Sequence, residues 1–267
     1  MRQAGRYMPE YRALRGRVPF LELCKTPDLA CAVTVEAATK LGVDAAIIFS
    51  DLLVVLEPMG ADLAYTAGDG PVIASPVRES EDVDRLREID ADALAYVYDA
   101  IRLTRAALPP DMPLLGFAGA PFTLACYLIE GGGSRNYENA KLLMYREPRA
   151  WHVLLEKLVR GVAAFLVRQV AAGVQAVQLF DSWVGCLSPA DYREFVLPHT
   201  RRLCDLLRAQ VPGTPVIHFG TGCASLLEPM REAGGDVLGF DWRVDLGAAW
   251  QRVGHDVAVM GNLDPVV

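Results

Sequence analysis

The sequence predicts an α/β chain of the (β/α)8, TIM-type barrel class, incomplete at both ends. Three observations predict it. Short apolar runs alternate with helical stretches along the chain. The runs are apolar almost throughout rather than at every second residue, as strands covered on both faces of a parallel sheet are. No Gly-x-Gly-x-x-Gly and no Walker loop follows any run, which removes the phosphate-binding signatures of the rival doubly wound sheet.

The strand candidates, in order, are 44–50 (DAAIIFS), 113–119 (PLLGFAG), 176–180 (AVQLF), 215–219 (PVIHF), 237–240 (VLGF) and 257–263 (VAVMGNL). Helices are expected between them. The first, 27–41, opens at Thr26-Pro27 and stops before Gly42, with a cap, then proline at the first helical position, then glycine past the end. The second, 81–107, carries acids early and ends before Pro109-Pro110. The third, 151–172, ends at Gly173. The fourth, 189–210, opens at Ser188-Pro189, and a shorter fifth, 223–233, precedes Gly234-Gly235. No tandem repeat or linker interrupts this order, so 1–267 reads as a single domain. A closed barrel has eight strands and six complete candidates are present. The first strand is therefore expected to be partial and the last strand with its helix missing, and the chain reads as truncated.

Barrel enzymes carry their chemistry at the C-terminal ends of the strands. Asp51, Asp181 with Ser182, His218, Asp241 and Asp264 all stand at or near such ends. Each of these aspartates has an alternative as a helix cap or a loop tie. His218 reads as an inward-facing barrel residue.

Net charge is −7, which argues against nucleic acid as a general partner. The first seventeen residues are nevertheless cationic: Arg2, Arg6, Arg12, Arg15 and Arg17 against Glu10 alone. The six cysteines form no C-x-x-C pair, as expected of a reduced, cytoplasmic protein. No apolar run approaches the ~18 residues of a membrane span, and no membrane partner is expected.

Several segments carry a specific resemblance. MRQAGRYMPEYR (1–12), DAAIIFSDLLV (44–54), GPVIASPVR (70–78), GFAGAPFTLACYLIEGGGS (116–134), QLFDSWVG (178–185), PVIHFGTG (215–222), GFDWRV (239–244) and GNLDP (261–265) resemble, in order, the motifs of the uroporphyrinogen decarboxylase family. The resemblance covers nearly the whole chain. It implies a (β/α)8 barrel, paired as a homodimer, that converts the four acetate side chains of a tetrapyrrole to methyls without metal or organic cofactor. It implies that Arg2 and Arg6 bind substrate carboxylates, where a guanidinium fork matches the carboxylate in a way lysine cannot. Gln3, Ala4 and Gly5 complete that binding segment. Asp51 matches the family's central carboxylate, and Tyr127 and Ser182 match further substrate-contacting positions. Arg12, Arg15 and Arg17 are left as surface charges, and 131–133 as a turn near the rim.

One family feature has no counterpart here, a substrate-contacting histidine in a Gly-His-Gly-type turn of the last strand. Two alternatives stay open beside the decarboxylase. One is a zinc-dependent corrinoid or thiol methyltransferase, which needs a His-x-Cys pair where this chain has His218-Phe219-Gly220. The other is a non-catalytic tetrapyrrole-binding fragment. A Schiff-base aldolase lacks its lysine at the strand ends.

Overall fold

The computed structural model describes residues 8–66 and 70–266. Three helices, α1 (Pro9–Arg15), α2 (Phe20–Lys25) and α3 (Pro27–Leu41), precede the short strand β1 (Ala46–Ile47). A hairpin of β2 (Leu63–Thr66) and β3 (Gly70–Ile73) follows, then α4 (Ser80–Arg85) and α5 (Ala95–Ala107). Strand β4 (Leu114–Gly119) leads into α6 (Pro121–Glu130), α7 (Glu138–Arg146) and α8 (Pro148–Ala172). Strand β5 (Ala176–Asp181) leads into α9 (Pro189–Phe195) and α10 (Leu197–Gln210). Then β6 (Val216–Gly220), α11 (Leu227–Ala233), β7 (Val237–Gly239), α12 (Leu246–Val253) and β8 (Ala258–Met260) alternate to the end.

Six strands form one sheet in the order β1-β4-β5-β6-β7-β8, and every neighbouring pair is parallel. All six predicted strands are in it. Among the described residues β1 and β8 stand at its two edges and do not pair with each other. This is the incomplete barrel that the strand count predicts. No described helix is long and apolar enough to cross a membrane.

The predicted helix 27–41 is α3 to the residue, and Gly42 takes the left-handed conformation, φ 59°, that ends it. Two predicted helices are broken. The stretch 81–107 divides into α4 and α5 because Leu86 turns extended. Lys157 Nζ, reaching from α8, donates to the Val83 and Leu86 carbonyls (2.9 and 2.7 Å), which satisfies groups a continuing helix would have paired internally. The stretch 189–210 breaks at Val196 (φ −123°, ψ −51°). Pro198, in the first turn of α10, cannot continue an incoming helix without clashing with the fourth carbonyl before it. The Phe195 carbonyl instead accepts the Trp151 indole N–H at 3.0 Å. The helix expected over 223–233 begins only at Leu227, and that over 151–172 begins earlier, at Pro148.

The two faces of the sheet differ. Phe117, Phe180 and Phe219 pack in sequence on one face, with centroids 5.6 and 5.8 Å apart, and Phe117 and Phe180 border the large cavity. Side chains alternate along a strand, so Leu179, Asp181 and His218 point the other way, into the layer between sheet and helices. Their register confirms it, since Leu179 is opposite His218 and Phe180 opposite Phe219.

Candidate active site

A cavity of about 800 Å³ runs along β1, from Val43 and Ala45 before the strand to Ser50 and Asp51 beyond it, within the ~300–1,000 Å³ range of ligand pockets. Its walls include Phe20, Phe49, Leu53, Phe117 and Phe180, and its polar groups include Arg15, Ser50, Asp51, Tyr65, Tyr127 and Ser182. The enclosure is mainly apolar with a few polar groups on its wall, the usual make-up of a ligand pocket.

Asp51 is the carboxylate of this cavity. It follows the run that ends β1, and its Oδ1 accepts two hydrogen bonds, from the Leu53 N–H at 2.9 Å and from the Tyr65 hydroxyl at 2.5 Å. Tyr65 sits on β2, outside the barrel sheet, and packs against Phe20 of α2 with centroids 4.6 Å apart. Burial, and secondarily the negative charge of Asp51, push the Tyr65 hydroxyl far above the ordinary tyrosine range, so it remains a donor. Phe20 also touches Phe49 (6.1 Å), and the Phe49 N–H donates to Thr34 Oγ1 at 2.9 Å. The floor under Asp51 is thereby tied to α2, α3 and the hairpin together.

Tyr127 comes from α6 and faces the same cavity. Its ring meets Trp183 edge-on at 5.7 Å, and Trp183 in turn meets Tyr137 at 5.5 Å. Burial first, then the Asp51 charge, push the Tyr127 hydroxyl up to about 12, with the neighbouring Trp183 side chain opposing. Ser182 lines the same cavity, next in the chain to Trp183, whose ring meets Tyr127, and its carbonyl accepts a hydrogen bond from Thr221 Oγ1.

Of the predicted site residues, the structure brings together Asp51, Tyr127 and Ser182. Arg2, Gln3, Ala4, Gly5 and Arg6 lie outside the described residues. Arg15 corrects the expectation that it is a plain surface charge. Its guanidinium lies over the Phe20 ring, 5.5 Å from the centroid, donates to the Val18 carbonyl and borders the cavity. Helical phase on α1 decides this, and the sequence offered no capping or spacing signal for it. Tyr65 was also missed, because nothing local in LAYT marks which residue of a hairpin will meet an aspartate fourteen positions earlier.

The other strand-end groups do not join this site. His218 is fully buried on the helix-facing side, not inward as expected. Its Nδ1 lies 3.3 Å from the Gly234 carbonyl, and its Nε2 3.8 Å from Asp181 Oδ2. Asp181 is fully buried too and accepts from Thr123 Oγ1 at 3.0 Å. Asp241 ties a loop, accepting from the Gly222 N–H at 2.7 Å and pairing with Arg243. Asp264 accepts from the Val266 N–H at 2.9 Å in a local turn. The residues 131–133 bear on the hairpin, since the Gly131 carbonyl accepts the Ile73 N–H at 2.8 Å.

For the methyltransferase reading, Gly220 stands where a thiolate is needed, and a Cβ there would lie 2.9 Å from the Met230 side chain. Among the described residues no three His, Cys, Asp or Glu side chains converge as metal ligands would. All six cysteines are free.

A family model described as uroporphyrinogen decarboxylase (URO-D) matches residues 1–267. A uroporphyrinogen decarboxylase of Carboxydothermus hydrogenoformans is 54% identical over 267 residues, covering 100% of this chain and 76% of that protein. One from Sorangium cellulosum is 56% identical over 268 residues, with the same coverage. Among solved structures, a methyltransferase from Methanosarcina mazei superimposes with a TM-score of 0.75 at 18% identity, over 95% of this chain and 74% of that one. At that identity the likeness is one of fold.

Proposed function

This chain belongs to the uroporphyrinogen decarboxylase family, and from that premise we propose how its site works. The reaction is that of a carboxy-lyase: the four acetate side chains of uroporphyrinogen III become methyls, giving coproporphyrinogen III. Each step releases CO2 and takes up one proton. Breaking the carbon–carbon bond leaves an electron pair that needs a sink. A pyrrole protonated on a ring carbon is that sink, and a proton then completes the methyl while the ring loses its own. The substrate supplies the electron sink, so the chemistry asks for no organic cofactor.

The observation that carries the reading is the placement of Asp51 in the apolar-walled cavity, with two donors on one carboxylate oxygen. Pyrrole N–H groups are donors, and a fixed carboxylate accepts them. The same negative charge stabilises the cationic ring as it forms, an effect that is large where water is excluded. Tyr127 presents a proton to a substrate carboxylate, and Ser182 adds a further hydroxyl. Arg2 and Arg6 hold carboxylates as bidentate forks, with Gln3, Ala4 and Gly5 lining their segment. Arg15 adds a cation at the cavity wall. A single domain spanning 1–267, a homodimer and cytoplasmic residence belong to the same reading; sedimentation of the purified chain tests the dimer.

The test is anaerobic incubation with uroporphyrinogen, counting carboxyl groups by chromatography after oxidation. Hepta- to tetracarboxylate products are expected. Tight binding of the porphyrinogen with no loss of carboxyls would favour the non-catalytic binder instead.

A further inference from the structure

The Asp51 carboxylate is held from outside the barrel sheet. Its Oδ1 accepts one hydrogen bond from its own loop, the Leu53 N–H, and one from Tyr65 on the β2–β3 hairpin, at 2.5 Å. The hairpin is fixed in register, Leu63 opposite Ile73, and is fastened to the end of α6 by the bond from the Ile73 N–H to the Gly131 carbonyl. Phe20 backs the Tyr65 ring at 4.6 Å. The phenol is thus braced on its ring and committed at its hydroxyl.

We propose that Tyr65 is a positioning residue for decarboxylation, its hydroxyl orienting the Asp51 carboxylate and keeping it ionised beneath the substrate. The proposal rests on the reading of Asp51 as the central carboxylate. A carboxylate that must face a ring becoming cationic works best if it does not rotate as charge develops. A hydrogen bond to the ionised form also opposes the tendency of an apolar macrocycle to protonate it. The phenol keeps its own proton because burial and the neighbouring charge both disfavour phenolate. Among the described residues, the other titratable groups that face this pair or border the cavity are Tyr127 from α6, Cys24 from α2, and Tyr11 and Arg15 from α1. Arg2, Arg6 and Asp69 lie outside the described residues. Phenylalanine would fill the same space against Phe20, so the hydroxyl is the part that carries the role.

The experiment compares the full chain with its Tyr65→Phe and Asp51→Asn variants. Aspartate is labelled with ¹³C at the carboxyl, and the Asp51 resonance is identified by its loss in D51N. In Y65F the Asp51 titration is expected to move to higher pH by about 1 pH unit, and kcat to fall about tenfold with KM within about twofold. A purely structural role for the tyrosine would leave the titration in place. An unmoved Asp51 titration in Y65F overturns the proposal, and this readout needs no turnover. If Y65F matches the unsubstituted chain while D51N is inactive, the Tyr65 role fails and the Asp51 reading stands. Full turnover in D51N removes both.

Discussion

Asp51 and Asp181 occupy the same place in the sequence pattern, the residue that follows an apolar run, IIFS in one case and VQLF in the other. Asp51 is partly exposed, borders the cavity and accepts from a backbone N–H and a tyrosine. Asp181 is fully buried, faces the helices and meets Thr123 and the His218 ring. Asp181 is the last residue of β5 and takes its side from strand alternation, whereas Asp51 lies in the loop beyond β1, which ends at Ile47. Ser182, one residue on, turns back to the cavity, so in β5 the site is reached past the strand end, not by its last residue. A polar residue at a strand end is therefore a candidate for chemistry only once its face of the sheet is known.

The contrast can be broken most sharply by substituting the two carboxylates. Asp51→Asn should reduce kcat by about a hundredfold or more while substrate binding is partly kept, the scale of losing a preorganised charge opposite a developing one. The anaerobic decarboxylation assay measures it, and turnover near that of the unsubstituted chain would leave the cavity without a catalytic carboxylate. Asp181→Ala should act on stability instead. It strands the Thr123 hydroxyl and leaves His218 without its acidic neighbour, at a cost of about 1–3 kcal/mol in urea unfolding. Turnover per folded molecule should stay within about threefold, an order-of-magnitude expectation for a residue that does not touch substrate. A loss of turnover as deep as that of the Asp51 variant, at unchanged stability, would erase the distinction.

A smaller effect sharpens the comparison with a second buried polar pair remote from the cavity. His199 and His152 meet at 2.8 Å between α10 and α8, with Glu156 3.8 Å from His199. Burial, then the neighbouring His152, lowers His199 from the ordinary 6.5 to about 4, with Glu156 opposing and Arg202 assisting. Between those values the unfolded chain binds a proton that the folded chain does not. Stability is therefore fully present above about pH 6.5 and declines as pH falls towards about 4. His199→Gln should flatten that decline in urea midpoints taken across the window. A decline of equal slope in the variant would place the acid sensitivity elsewhere.

Much of the architecture was legible because it is written locally. Continuous apolar runs gave all six strands of the parallel sheet, and caps and glycines set α3 to the residue. The break in 81–107 was not legible, since it goes with a distant partner, Lys157; that in 189–210 was written locally in Pro198, with Trp151 satisfying the freed Phe195 carbonyl. The hairpin, α6 and α12 also escaped, being short or folded into segments that read as motif rather than as periodic pattern.

For the site, the sequence alone determined the family, through motifs spread from Met1 to Pro265, and with it the identity of Asp51, Tyr127 and Ser182 as candidates. Only the tertiary structure decided which polar residues share a cavity. His218 and Asp181 were turned away by the two-residue alternation of a strand whose register is set by its neighbours. Tyr65 and Arg15 were brought in from a hairpin and a helix whose positions follow from packing on Phe20. Local sequence specifies which element a residue joins; the side of that element facing the ligand is set by contacts between residues far apart in the chain.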